Sequence, residues 1–194
     1  STFEQDEYTR YCLLGSEYEI TDDITINVSD QRGRVELVGG NPDGRTTLTT
    51  DGDNRHLISE VAPNAQLYLS NLNFTNGNCA NSDCGGQGGS IRHQDGPLEI
   101  ESVDFTGNRS YEGGAIYATG GSLIISKSKL KNNFSTGDGG ALRTSVTNTQ
   151  FNSVTFASNN SCSLEHSLES CTNTSTGGRG GAIYIHAGGL HEWS

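Results

Sequence analysis

Hydrophobic and polar residues alternate in short blocks that recur along the chain. In one block Leu98 and Ile100 flank Glu99; after Glu101 and Ser102, Val103 and Phe105 flank Asp104. Period-two alternation on both sides of a polar step predicts strand, bend, strand. Leu67 to Phe74, Leu123 to Leu130 and Thr149 to Phe156 follow the same frame. A third short strand is predicted after a pair of glycines, as in Ala115 to Ala118. The glycine pairs at 88, 113 and 139 stand 25 and 26 residues apart. A fixed period in the twenties is that of a solenoid in which one repeat makes one coil. Three strands per coil predict an all-β fold, a three-sided parallel β-helix of about 25 residues per coil.

In such a helix each strand pairs with its equivalent one coil away, so equivalent residues stack. Three inward columns follow: Leu67, Leu98 and Leu123; Phe74, Phe105, Leu130 and Phe156; Ile91, Ile116, Leu142 and Ile183. Paired glycines suit a corner that needs positive φ or close backbone approach. Residues 1–19 carry no repeat and are expected to cap the open end, because a bare coil edge recruits other strands. Residues 20–64 read as irregular early coils, and 65–194 as regular ones. Leu190 to Ser194 look like the start of another coil, so further coils are expected.

Composition narrows the function. Only 31% of residues are apolar, which suits thin-cored coils better than one compact globule. The net charge of −11 argues against nucleic acid and anionic membrane surfaces as partners. No apolar run approaches the roughly 20 residues of a membrane span. Cys79 with Cys84, and Cys162 with Cys171, sit as close pairs in inter-strand loops. Such pairs read as disulfides of an oxidising compartment, leaving Cys12 over. Their spacings fit zinc motifs poorly, and the five histidines show no metal-binding spacing, so neither metal nor cofactor is expected.

Asparagines carry two meanings. Asn108, Asn133 and Asn159 each follow the Phe105, Leu130 and Phe156 column by three residues and each begins an Asn-x-Ser triplet. They are glycan acceptors or a buried amide ladder, and the fixed register favours the ladder. Asn27, Asn73 and Asn173 are the remaining glycosylation candidates.

Two tetrapeptides summarise the repeat. Gly113 to Ile116, Gly139 to Leu142 and Gly180 to Ile183 read Gly-Gly-Ala followed by a branched apolar residue, with Gly88 to Ile91 carrying Ser90 for Ala. Phe105 to Asn108 and Phe156 to Asn159 read Phe-x-x-Asn, and Leu130 to Asn133 has Leu for Phe. This pairing resembles the repeats of the polymorphic outer-membrane proteins of chlamydial surface autotransporters, over about residues 65–189. The resemblance implies a right-handed β-helix and a passenger-type extracellular domain of adhesion or surface structure. It brings no catalytic residues with it.

If the Ile91 column points inward, its successors Arg92, Tyr117, Arg143 and Tyr184 point outward as a stripe of alternating cation and aromatic. Such side chains are common anchors at binding surfaces, and this stripe is the candidate contact face. A polysaccharide lyase or hydrolase would need paired carboxylates. Glu99, Glu101 and Asp104 share one coil, but no carboxylate column crosses coils. The loop between Asn159 and Gly180 is long and carries Cys162 and Cys171, a composition suited to recognition. The expectation is an extracellular, cell-surface, non-catalytic module of structure or adhesion, part of a larger surface protein or filament. Its expected partners are other copies, other surface proteins or glycans. A polysaccharide-active enzyme and a glycan-binding module are the alternatives.

Overall fold

A computed structural model describes residues 8–29, 33–41, 44–52, 54–80, 84–162, 180–186 and 190–193. These residues form three sheets, and the strand pairs between coils are parallel throughout. The protein is a parallel β-helix.

The first coil contains β1 (Tyr8–Leu13), β2 (Glu17–Ile20) and β3 (Ile24–Val28). The second repeats them as β4 (Arg34–Gly39), β5 (Thr46–Thr50) and β6 (Leu57–Val61). The third comprises β7 (Gln66–Ser70), β8 (Leu72–Thr75), β9 (Asn78–Cys79) and β10 (Ile91–Asp95). Next come β11 (Leu98–Glu101), β12 (Asp104–Thr106), β13 (Arg109–Ser110) and the long β14 (Ile116–Ser126), which closes the fourth coil and opens the fifth. After β15 (Lys129–Lys131) and β16 (Phe134–Ser135), β17 (Leu142–Asn152) does the same for the sixth coil. β18 (Thr155–Ala157), β19 (Asn160–Ser161) and β20 (Ile183–Ile185) complete it, and β21 (Leu190–Trp193) starts another.

The columns stack as the periodicity requires. Leu67, Leu98, Leu123 and Thr149 are successive partners. Leu48, Phe74, Phe105, Leu130 and Phe156 form a second file, in which the Phe74 and Phe105 rings are 5.2 Å apart and nearly parallel. Ile24, Leu57, Ile91, Ile116, Leu142 and Ile183 form a third. Leu57, Phe74, Ile91, Phe105, Ile116 and Leu142 are fully buried, and each such side chain contributes roughly 1.5–3 kcal/mol. A narrow interior filled this way needs few apolar residues per coil.

Three features were not visible in the sequence. Strand pairing reaches Tyr8, so within the segment expected to cap the solenoid, residues 8–13 and 17–20 are themselves rungs of the sheets. The early coils, despite irregular spacing, keep the same inward columns as the later ones. A two-residue strand follows each of Gly77, Asn108, Asn133 and Asn159, giving the third, four-stranded sheet.

Corners use backbone conformations with positive φ. Asn71, Ser102, Lys127 and Ser153 occupy one bend in four consecutive coils, with φ of 57°, 55°, 49° and 56°. Each non-glycine residue there costs roughly 1–2 kcal/mol, which the stacked sheets on either side offset. The glycine pair is stricter. Gly113 has φ of 62°, and a Cβ on Gly114 would lie 2.1 Å from the carbonyl oxygen of Gly140 in the next coil.

Candidate binding face and the structural columns around it

The Arg92, Tyr117, Arg143 and Tyr184 stripe is a true row, each residue paired with the next across adjacent strands. Its members are not equally presented. Tyr117 is only 9% exposed. The Arg143 guanidinium carbon lies 4.7 Å from the Tyr117 ring centre, and Nη1 donates to the phenol oxygen at 2.9 Å. The expected outward aromatic at 117 is therefore the floor of the face, because the arginine one rung away folds back over it. Glu112 Oε1 stands 4.0 Å from Arg143 Nε, outside hydrogen-bonding range. Arg92 is half-buried, and its Nε has no hydrogen-bond partner among the described residues.

The asparagine column is a ladder. Asn108 Nδ2 donates to Asn133 Oδ1 at 3.0 Å and to the Phe74 carbonyl at 3.2 Å. Asn133 Nδ2 does the same to Asn159 Oδ1 and the Phe105 carbonyl. Asn159 Nδ2 donates to the Leu130 carbonyl at 2.8 Å. Two residues on, Ser110, Ser135 and Ser161 form their own column beneath Cys79. Ser110 Oγ donates to the carbonyls of Glu112 and Gly113, tying down the turn into the glycine pair. The Asn-x-Ser triplets thus arise from two structural columns at a spacing of two, and Asn108 and Asn133 are buried.

Where the ladder meets the early coils the side chains trade sizes. Gly77 occupies the asparagine position of its coil, and its N–H donates to Asn108 Oδ1 at 2.9 Å. His56 takes the position that is Ser90, Ala115 or Ala141 in later coils and fills the space left by Gly77. A Cβ on Gly77 would meet His56 Nδ1 at 2.7 Å. His56 Nε2 donates to the Thr75 carbonyl at 3.1 Å, and the ring packs edge-on against Phe74. Burial pushes its pKa down to about 4. His93 is buried as well, and burial lowers its pKa too. Its Nε2 contacts the Gly96 carbonyl at 2.8 Å, so that nitrogen carries the proton and Nδ1 accepts from Ser59 Oγ. Both histidines are core residues.

Cys79 and Cys84 form a disulfide, and Cys162 is also disulfide-bonded. Cys171 and Asn173 lie outside the described residues. Cys12 is a free, exposed thiol. Beneath the Cys79–Cys84 loop lies Arg55, 1% exposed. Its Nε reaches Asp23 Oδ2 at 3.1 Å, Nη1 donates to the Gln87 carbonyl at 2.7 Å, and Nη2 donates to the Cys84 carbonyl. Burial lowers the Arg55 pKa and raises that of Asp23, each opposed by the other's charge. Sequence reasoning missed this clamp. The only signal was an arginine where later coils have the second glycine.

Of the remaining acceptor candidates, Asn27 is exposed on β3, whereas Asn73 is half-buried with Nδ2 donating to Thr47 Oγ1 at 3.3 Å. The outward carboxylates are engaged. Glu99 Oε2 accepts from Gln66 at 2.8 Å, Glu101 accepts from Tyr68 and Lys127 at 2.7 Å each, and Asp104 pairs with Arg45 at 2.5 Å. Tyr68, half-buried and bonded to Glu101, has its phenol pushed up to about 12, burial being the larger cause.

Residues 102–119 match the Chlamydia polymorphic membrane protein (Chlamydia_PMP) repeat. The chain carries this repeat. The matched stretch runs from the Ser102 bend through Phe105, Asn108 and the Gly113–Gly114 corner into β14, so it spans the ladder and one rung of the outer row. The family so described is one of membrane proteins. No curated protein and no solved structure matches the chain.

Proposed function

We propose that this chain is an extracellular, non-catalytic β-helix module of a surface protein, a rigid spacer whose outer rows serve adhesion. The observation that carries the reading is the coincidence of the membrane-protein repeat with an unbroken polar ladder. The matched residues build Asn108 and its bonds to the neighbouring coils, so the repeat serves rigidity along the axis. The outward carboxylates support it too. Glu99 and Glu101 each hold a donor from a neighbouring strand or loop and Asp104 is ion-paired with Arg45, an arrangement of structural pairing rather than of a free acid and base facing one substrate. Partners are other surface proteins, further copies or surface glycans.

The test couples adhesion to turnover. Beads coated with the folded chain should bind cells or extracellular-matrix surfaces more strongly than beads coated with the heat-denatured chain. The same protein should release no reducing or unsaturated ends from a panel of neutral and acidic polysaccharides. Turnover that disappears in Glu99→Gln or Glu101→Gln would replace this reading with that of a polysaccharide-active enzyme.

A further inference from the structure

The outer row has an electrostatic character at odds with the rest of the molecule. The chain carries 23 acidic and 12 basic residues, yet this row places Arg92 and Arg143 two rungs apart on one sheet face. Arg92 makes no hydrogen bond or ion pair among the described residues, and it lies near enough to the buried Arg55 to feel its charge. A half-buried guanidinium beside a second cation, with no carboxylate bonded to it, is a group awaiting an anion.

The hydrogen-bond polarity points the same way. The Tyr117 phenol oxygen accepts from Arg143 Nη1, which leaves its own hydrogen to donate. Arg92, Tyr117 and Arg143 together offer donors, and the carboxylate that faces them is Glu112, 4.0 Å from Arg143 Nε. Guanidinium groups recognise multi-oxygen anions in two-point fashion, as a carboxylate presents them.

Successive rungs stand about 4.8 Å apart. That is close to the advance of an extended pyranose chain per sugar. Along the row arginine alternates with tyrosine, and the Arg143 guanidinium leans back over the Tyr117 ring toward Arg92. A polysaccharide lying along the helix axis would meet both cations. An extended peptide advances only about 3.3 Å per residue and would drift out of register.

We propose that the row Arg92, Tyr117, Arg143 is a binding site for an anionic polysaccharide lying parallel to the helix axis. The two arginines hold its acidic groups, and the Tyr117 hydroxyl donates to a sugar between them. This rests on the adhesive reading above and names its ligand class.

The experiment uses the whole chain and hyaluronan oligosaccharides, which carry one carboxylate per disaccharide, with dextran and poly-L-glutamate as comparators. Binding is read by calorimetry. Affinity for hyaluronan should rise from disaccharide to tetrasaccharide and fall with added salt. Arg92→Gln should weaken it by about tenfold or more. That residue has no hydrogen-bond partner among the described residues, so the melting temperature should not fall. Arg143→Lys keeps the charge but loses the two-point geometry, and should weaken binding by a smaller factor. The proposal is overturned by equal binding of dextran, by stronger binding of poly-L-glutamate, by no binding of hyaluronan at low salt, or by unchanged affinity in Arg92→Gln. Should coated beads still adhere to cells while hyaluronan binding fails, this site falls and the adhesive reading stands. Loss of both overturns both.

Discussion

Asn133 Oδ1 accepts two hydrogen bonds from Asn108, one from its main-chain N–H and one from Nδ2, each 3.0 Å long. A single buried oxygen thereby fixes both the backbone and the side chain of the preceding coil. Asn133→Ala strips partners from Asn108 and from the Phe105 carbonyl at once, while Asn159 Oδ1 keeps the main-chain N–H of residue 133. Unsatisfied buried groups cost about 1–3 kcal/mol each, partly relieved by relaxation, so a loss of roughly 2–4 kcal/mol is expected. Urea unfolding followed by circular dichroism reads it. A change below about 0.5 kcal/mol would show that the ladder decorates the fold rather than stabilising it.

The glycine pair gives a contrast within one motif. Gly114→Ala would set a Cβ 2.1 Å from the Gly140 carbonyl oxygen and 2.6 Å from that of Phe134, both backbone atoms that cannot yield. A Cβ on Gly181, the equivalent position two coils on, meets nothing within 4 Å among the described residues. Gly114→Ala should therefore cost more than about 3 kcal/mol or abolish folding, and Gly181→Ala less than about 1 kcal/mol. Thermal melts of the two variants decide it; equal costs would sink the close-approach explanation.

Buried His56 makes stability depend on pH. Its folded pKa, about 4, lies below the ordinary value of 6.5. The unfolded state therefore binds the proton more readily. The neutral ring's contribution is complete above pH 6.5 and is lost as pH falls from there to about 4. The full loss is on the order of 3 kcal/mol, and His93 adds in the same direction. His56→Gln keeps a donor for the Thr75 carbonyl and cannot titrate in this range. Denaturation midpoints of the variant should fall less than those of the wild type between pH 7 and pH 4. Parallel profiles would exclude His56 as the source.

Arg55 should matter more than the disulfide above it. The Cys79–Cys84 bridge closes a short loop, worth about 2 kcal/mol on chain-entropy grounds. Arg55→Met leaves the Asp23 carboxylate without its cation and two carbonyls without donors, expected to cost about 3–5 kcal/mol. Comparing Arg55→Met with Cys84→Ser by urea denaturation tests the order. A larger loss from Cys84→Ser would reverse the assignment of what holds this loop.

Much of this architecture was readable before any coordinates. Leu98, Glu99 and Ile100 announce a strand with one face in. The return of that frame at Leu123 makes Leu98 and Leu123 neighbours, since equal residues in equal repeats must stack. Other relationships were not readable. His56 opposite Gly77 is a trade of volume between two columns that only meet across the interior. Tyr117 looked like an exposed anchor because alternation gives the side of the sheet, not the rotamer of the arginine beside it. The strands within residues 8–20 carried no repeat to match, yet backbone hydrogen bonding to β4 and β5 enrols them without one.

The sequence by itself determined the coil, its inward columns, the register of the asparagine column and the order of Arg92, Tyr117, Arg143 and Tyr184 along one row. Periodicity suffices there, because parallel strands in register place each residue directly over its equivalent one period away. The tertiary structure alone decided that Arg55 clamps the stapled loop, that Arg143 covers Tyr117 and that Arg92 has no hydrogen-bond partner among the described residues. Those contacts depend on loop lengths that vary between coils and on side-chain rotamers chosen by local packing, and neither recurs with the repeat.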